Sequence, residues 1–335
     1  MDIDLVVLWV DGTDSVWLAE KKKYEPDKPL PDGGDKRYRD WGLMHYWFRS
    51  IEAFAPWVRK VYFVTWGHVP AFLNTEAPKL QIVRHEDFIP KKYLPTFNSC
   101  AIEANLHRLP GLAERFVYFN DDTFLLQPTV PEDFFRKGVP CAYSNETSIV
   151  HTSMYNTWRH QLFNDLWLVN RNFSKREQVK KNVTKYIAGG YNWRDNLRTL
   201  ALEAFFPGAF LGFGNLHGPS SFLRDTYREV WEKEPEALDY SCREKFRNYN
   251  QVNQNLFQWW QVAKGAIAPF KLDVFVRSIS DESIDQLCET IRQRQHTCVC
   301  LQDNLEDGPE NLEALSSRLK EAFSIILPHK SQFEV

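Results

Sequence analysis

The sequence predicts an α/β fold: a doubly wound, mostly parallel sheet with a helical portion packed against it. Three observations carry this. Residues 3–10, Ile-Asp-Leu-Val-Val-Leu-Trp-Val, form a nearly continuous apolar run, the pattern of a strand buried on both faces. Arg115-Phe-Val-Tyr-Phe119 repeats that pattern immediately before Asn120-Asp121-Asp122. Between them strand and helix signals alternate, as in a doubly wound sheet.

The elements follow in order. The first strand is bounded by Asp11-Gly12, at the carboxyl end where open α/β sheets bind ligands. Residues 20–36 carry Lys21 to Lys23, Pro26, Pro29, Pro31 and Gly33-Gly34 without periodicity and read as a mobile surface loop. Apolar residues at mostly helical spacing from Trp41 to Phe54 predict a helix ended by Pro56. Strands follow at Val61–Thr65 and at 80–83. After Pro95-Thr-Phe-Asn-Ser99 a helix runs through Ala101, Ile102, Ala104, Leu106 and Leu109 to a stop at Pro110-Gly111. This alternation makes residues 1–145 a doubly wound α/β part. Residues 146–335 are mainly helical, with amphipathic stretches near 174–187, 193–205, 222–234 and 251–264. Strands near 272–277 and 297–301 and a helix at 309–326 complete it. No clean linker separates the two parts, so the second is expected to complete the active site within one catalytic unit.

Composition narrows the function. Of the 335 residues, 43% are hydrophobic and 25% charged, which suits an ordinary globular core. The net charge is −3, so no nucleic-acid partner is expected and any phosphate site must be local. The aromatic fraction of 15% permits stacking on a base or sugar. No stretch approaches the ~18 apolar residues of a membrane span. The opening MDIDLVVLWVDG has neither a basic region nor a cleavage site. The chain is therefore expected to be cytoplasmic, or peripheral at the inner face of the membrane, with its six cysteines reduced. The glycosylation sequons at Asn145, Asn172 and Asn182 then read as chance matches. His296, Cys298 and Cys300 alternate along a short strand, a poor geometry for zinc.

Asp121-Asp122 is the first candidate for chemistry. Two carboxylates at the end of a buried strand are costly unless paired, hydrogen-bonded or bound to a cation. A hard oxygen site for Mg²⁺ or Mn²⁺ on a diphosphate accounts for them, and so does a solvated strand-end turn. Asp11 reaches the same rim or simply opens an Asp-Gly turn. Glu103 lies one turn into its helix, where a capping box from Ser99 would require the acid at position 102. Capping does not explain it; function or an exposed helix glutamate does. His217, in the small-residue loop 212–221, suits a general base near neutral pH or an ordinary surface histidine. Arg247 precedes a helix expected near Val252, and an arginine beside a helix N-terminus makes a phosphate site. A helix-flanking surface charge reads the same way.

Taken together, these segments resemble the Stealth family, the sugar-1-phosphate transferases of bacterial capsule assembly, whose animal member is the lysosomal-enzyme N-acetylglucosamine phosphotransferase. The resemblance begins with Ile3-Asp-Leu-Val-Val-Leu-Trp-Val-Asp-Gly-Thr-Asp14. It continues through Arg37-Tyr-Arg-Asp40, Arg49-Ser-Ile-Glu52, Ala55-Pro-Trp-Val-Arg-Lys60 and His85-Glu-Asp87. Leu94-Pro-Thr-Phe-Asn-Ser99, Ala101-Ile-Glu-Ala-Asn-Leu-His-Arg108 and Tyr118-Phe-Asn-Asp-Asp122 extend it. His217-Gly-Pro219, Phe246-Arg247, Val252-Asn-Gln254 and Cys298-Val-Cys-Leu-Gln-Asp-Asn304 close it. The sequence departs from the family pattern at Trp41-Gly42 and at Gln302.

The resemblance implies metal-dependent transfer of a sugar-1-phosphate from a UDP-sugar, either UDP-N-acetylhexosamine or UDP-hexose, to a glycan hydroxyl. UMP is released, and the setting is capsular or surface polysaccharide synthesis. By matching positions, Glu103, Asp122, His217 and Arg247 would carry the chemistry. Asp122 would hold Mg²⁺ or Mn²⁺ with Asp121 or Asp303, and Arg247 would neutralise charge on the transferred phosphoryl group. His217 would take the acceptor proton, with Glu103 orienting it or serving as base itself. Asp11, Gly12, Arg37, Asp40, Asn98 and Asn253 would shape the substrate pocket. On the same resemblance residues 1–145 would be the nucleotide-sugar-transferase-like part that binds the nucleotide sugar. Two other readings stand beside it: a glycosyltransferase releasing UDP, which would share the metal-binding acidic strand end, and a non-catalytic sugar-nucleotide- or glycan-binding module.

Overall fold

Strands apolar on both faces need cover on both sides, and the computed structural model supplies it; the structure describes residues 1–27, 34–150, 156–214, 217–303, 305 and 309–335. The chain opens with β1 (Ile3–Leu8), α1 (Ser15–Lys22), α2 (Met44–Phe54), β2 (Val61–Thr65) and β3 (Leu80–Arg84). The single turn α3 (His85–Phe88) leads to α4 (Ser99–Ala104), β4 (Arg115–Phe119), β5 (Thr123–Leu125), β6 (Phe135–Arg136) and β7 (Val139–Ala142). Next come α5 (Thr157–Asn172), α6 (Lys175–Tyr186), α7 (Trp193–Phe205), β8 (Ser220–Leu223), α8 (Arg224–Lys233), α9 (Pro235–Arg243) and α10 (Asn255–Ala263). The end of the chain holds β9 (Ala268–Pro269), β10 (Val274–Ser278), α11 (Ile284–Gln293), β11 (Cys298–Gln302) and α12 (Pro309–Ile326).

The main sheet has the order β3-β2-β1-β4-β8. Its first four strands are parallel, and β8 joins antiparallel to β4. The period-2 alternation of side chains splits each central strand between two cores. Ile3, Leu5 and Val7 of β1, with Phe63, Val117 and Phe119, pack beneath α2, α11 and α12. Val6, Tyr62, Val64, Phe116 and Tyr118 point the other way, against α4, α5, α8 and α10. The mostly parallel α/β fold expected from the apolar runs is what the chain forms. A second sheet, β10-β11-β5, leans on the first core. Among the described residues no helix is long and apolar enough to cross a membrane.

Local differences from the expected elements have local causes. The helix expected to run from Ser99 to Leu109 breaks at Asn105, whose amide donates to the Ala101 carbonyl at 2.8 Å, and the chain continues as a 3-10 turn. The amphipathic stretch near 222–234 divides into strand β8 and helix α8, because Ser221 and Phe222 pair with β4. Four helices, α3, α5, α9 and α11, lie in stretches where none was expected, and so does most of α1, which then runs into the start of the supposed loop at 20–36. Asn145 is fully buried with its amide on Thr199 Oγ1 at 2.7 Å, which closes the sequon reading there.

Candidate active site

The chain leaves the main sheet at the end of β4 and enters the second sheet at β5, and the corner between them is Asn120-Asp121-Asp122. Thr123 N donates to the Asn120 carbonyl at 3.2 Å, and Leu301 N, on β11, donates to the Asp122 carbonyl at 2.9 Å. The Thr123 hydroxyl adds a bond to Asp122 Oδ1 at 3.0 Å. Asp121 is exposed to solvent, yet protein crowds around it. That enclosure, then Asp122 and Asp40, pushes its carboxyl up to about 7.

Strand β8 delivers the histidine. Its antiparallel register pairs Tyr118 with Ser220, and continuing that register brings position 217 opposite position 121. His217 Nε2 stands 3.4 Å from Asp122 Oδ2 and 3.1 Å from the Asn120 amide. Its Nδ1 meets the Gln302 amide at 3.3 Å. Enclosure lowers the imidazole pKa, but the bond and charge of Asp122 outweigh it, so the net shift is upward. Asn215 and Leu216 of this loop lie outside the described residues.

On the other face of the sheet, Asn98 caps α4 by accepting from Cys100 N at 3.1 Å. Its amide reaches across to the Glu244 carbonyl at 3.0 Å. This cap fixes Glu103, which is buried and accepts the Tyr118 hydroxyl at 3.2 Å. Arg247 bonds the Ser99 hydroxyl, and its charge is felt at Tyr118, Asp121 and His217. Asn253 accepts from Asn255 N at 2.8 Å at the start of α10, and its backbone N–H meets Asp165 Oδ1 at 3.2 Å. Helix α10 thus begins at Asn255 rather than near Val252. Arg247 is tied to Ser99 at the start of α4.

Asp11, just past β1, closes a turn by accepting from Thr13 N at 2.8 Å and Thr13 Oγ1 at 2.6 Å. Its backbone N–H donates to His68 Nε2 at 2.8 Å. Gly12 is required by contact: a Cβ there would lie 2.0 Å from the Tyr38 carbonyl oxygen. Arg37 is exposed on the 3-10 turn that presents Tyr38. Asp40 accepts from Gly42 N at 2.7 Å, and enclosure, with a smaller contribution from Asp11, raises its pKa. Trp17, Phe97 and Phe246 form a small aromatic cluster joining the β1 loop to the α4 lead-in and the Arg247 segment. Part of the aromatic excess therefore clamps the site segments together.

The predicted residues fall into two groups. Asp121, Asp122, His217, Arg247 and, through Tyr118, Glu103 converge at the β4 corner, and Asp40 and Asp11 approach it along the rim. Asp303 stands apart, accepting from Arg39 Nη1 at 3.2 Å, Trp41 Nε1 at 3.1 Å and Leu305 N at 3.1 Å. Asn304 lies outside the described residues. Sequence reasoning missed Asn120 and Gln302, which flank the imidazole, and His68, which carries the β1 loop. Asn120 shares the Asn-Asp-Asp run, a signal that could have found it; pairing Gln302 with His217 required the fold.

Asp122, His217 and Cys300 bring ligand atoms within 4.8 Å of one another. A Cys-His-Asp set suits zinc, but the Cys300 thiol is buried, bonded to Asp122 and raised well above its ordinary pKa by burial and then Asp122. The donors that face water are the Asp121 and Asp122 carboxylates, crowded enough to push one of them up. Such a set fits a hard divalent cation, which would relieve that crowding. The corner thus offers oxygen ligands, a histidine for proton transfer and an arginine for anionic oxygens.

Comparisons with known proteins show which family the chain is similar to. A family profile described as "Stealth protein CR1, conserved region 1" matches residues 1–29, and "Stealth protein CR2, conserved region 2" matches residues 37–142. A capsular polysaccharide phosphotransferase, WcwK of Streptococcus pneumoniae, is 37% identical over 99% of this chain and 99% of its own length. The receptor polysaccharide phosphotransferase WefC of Streptococcus oralis is 34% identical over 99% of each chain. The exopolysaccharide phosphotransferase cps2G of Lactiplantibacillus plantarum is 32% identical over 99% of this chain and 96% of its own. Among solved structures, the galactosyltransferase LgtC aligns over 96% of this chain and 95% of its own, at 12% identity and a TM-score of 0.41, too loose a likeness to carry a functional argument.

Proposed function

Because the chain belongs to the Stealth family, we propose that it transfers a sugar-1-phosphate from a UDP-sugar to a glycan hydroxyl, releasing UMP, in capsular or surface polysaccharide synthesis. Its relatives' names support a transferase of sugar phosphate in polysaccharide synthesis. The observation that carries the finer reading is the β4–β8 register, which sets an accessible imidazole against the Asp121-Asp122 corner.

In this reading the acceptor oxygen attacks the β-phosphorus of the UDP-sugar. The bond from that phosphorus to the bridging oxygen breaks, and UMP leaves with the bridging oxygen. The hydroxyl proton would pass to Nε2 of the partly exposed His217, whereas the buried Glu103 is engaged by Tyr118 and would position the α4 side of the site. The Asp121 and Asp122 carboxylates would hold Mg²⁺ or Mn²⁺, which would supply charge neutralisation on the diphosphate. Arg247, tied to Ser99, would meet the equatorial phosphoryl oxygens, where preorganised positive charge is most effective. Asp303, held by Arg39 and Trp41 at the end of β11, would brace that edge of the site. Asp11, Gly12, Arg37 and Asp40 would line the nucleotide side. Asn98 and Asn253 would hold α4 and the approach to α10 in place. The helical part would act as one catalytic unit with the first, since its strand β8 belongs to the main sheet.

The test is incubation of the purified chain with a panel of UDP-sugars, a glycan acceptor and Mg²⁺ or Mn²⁺, followed by phosphorus NMR. UMP and a new phosphodiester are expected. UDP with a glycosidic product would make the chain a glycosyltransferase and overturn the proposal.

A further inference from the structure

Helix α7 is inside out. Its polar stripe faces the protein: Asn196 donates to the Ala188 carbonyl at 2.9 Å, Thr199 is fully buried beneath Asn145, and Glu203 lies 3.4 Å from the buried Lys175 ammonium. Its apolar stripe faces water, with Trp193 67%, Leu197 56%, Leu200 50% and Phe205 79% exposed. Helix α6 runs antiparallel beside it. Lys175, at the start of α6, reaches the Phe206 carbonyl at 2.8 Å, while Ala188, just past its end, bonds Asn196. On α6, Arg176, Lys180 and Lys181 are exposed. An ordinary amphipathic helix buries its apolar side; this one spends its polar side on the protein and keeps the apolar side for something else.

Charge says what that is. Residues 157–206 hold nine Lys and Arg against four Asp and Glu, a net +5 in a chain of net −3. Of those four acids, Asp165 is buried, Asp195 pairs with Arg198 at 3.1 Å, Glu203 faces Lys175, and Glu177 is exposed beside Arg176. We propose that the outer face of the α6–α7 hairpin docks on an anionic lipid bilayer, with the α7 stripe in the headgroup region and the α6 cations on lipid phosphates. Aromatic residues at both ends of α7, Trp193 and Phe205, suit a helix lying in the plane of that boundary. A second copy of the chain fits poorly, because a two-fold contact would bring the same +5 surface against itself.

Co-sedimentation of the full chain with vesicles tests this. Wild type is expected to partition onto phosphatidylglycerol vesicles, weakly onto phosphatidylcholine, and to be released by high salt. Two variants accompany it, one combining Trp193→Ser, Leu197→Ser, Leu200→Ser and Phe205→Ser, the other Lys180→Glu and Lys181→Glu. Each is expected to lose roughly tenfold in partitioning, with circular dichroism and thermal melting showing an intact fold. The charge variant removes no packing, so it keeps the test decisive should the apolar variant misfold. No binding of wild type to phosphatidylglycerol, or wild-type partitioning by the charge variant, would overturn the proposal. So would a wild-type dimer in sedimentation equilibrium that the apolar variant dissolves, which would make the face a contact between copies.

Discussion

The acidic corner after β4 and the cluster of Glu146, Lys175 and Glu203 each contain a carboxyl pushed up to about 7. At the corner, Asp121 is enclosed and repelled by Asp122 and Asp40, and it faces water. In the cluster, burial and Glu146 raise Glu203, but a fully buried ammonium stands between them: Lys175 Nζ lies 2.9 Å from Glu146 and also bonds the Phe206 carbonyl. One site leaves negative charge for a ligand to satisfy, whereas the other satisfies it internally. The difference separates a binding site from a structural lock even though both are carboxylate-rich and both are perturbed, and perturbation alone does not make a site functional.

Paired substitutions break the comparison most sharply. Asp122→Asn is expected to lower turnover about a thousandfold (~4 kcal/mol) while the melting temperature stays near that of wild type. Lys175→Met is expected to do the reverse, since it leaves buried carboxylates uncompensated at a cost of about 3–5 kcal/mol. Calorimetry and a UMP-release assay on both variants measure the two effects. A stability loss in Asp122→Asn matching that of Lys175→Met would erase the distinction between the two regions.

A smaller effect is expected at Arg247. Lysine keeps the charge but loses the planar fork that reaches Ser99 and, in the proposed reaction, phosphoryl oxygens at once. Arg247→Lys should fall about tenfold to a hundredfold in turnover, with KM for the acceptor little changed. Near-wild-type rates would remove Arg247 from phosphoryl contact and leave it as a strut for α4.

How much of this could be read beforehand differs between the same two regions. The corner was legible because it follows a strand whose burial shows in four consecutive residues, Phe116 to Phe119, so the position of Asp121-Asp122 follows from the pattern alone. His217 could be singled out by family resemblance, but its approach to position 121 depends on the register of β8, a four-residue strand too short to show in periodicity. The lock was not legible. Glu146, Lys175 and Glu203 are far apart in sequence and look like surface charges; helix α7 has its stripes where a normal amphipathic helix would, and only the structure shows that they face the wrong way. Periodicity reports that a helix has two faces, and tertiary contacts decide which one is inside.

The smallest effect separates the regions by pH and ion. A carboxyl whose folded pKa is raised holds a proton in the folded chain that the unfolded chain has lost, so stability falls as pH rises from the ordinary carboxylate value through the folded one. For Asp121 that window runs from 3.8 to about 7, and for Glu203 from 4.5 to about 7. Both should contribute to a decline in melting temperature between about pH 4 and pH 7 in metal-free protein. Mg²⁺ at pH 8 can relieve only the site it can reach. It should raise the melting temperature of wild type and of Glu203→Gln by a few degrees, and leave Asp121→Asn nearly unmoved, because binding to the folded state alone stabilises it. Scanning calorimetry of the three proteins with and without Mg²⁺ reads this directly. An ion response that survives in Asp121→Asn but vanishes in Glu203→Gln would exchange the roles of the two clusters, making the buried one the binding site and the corner the lock.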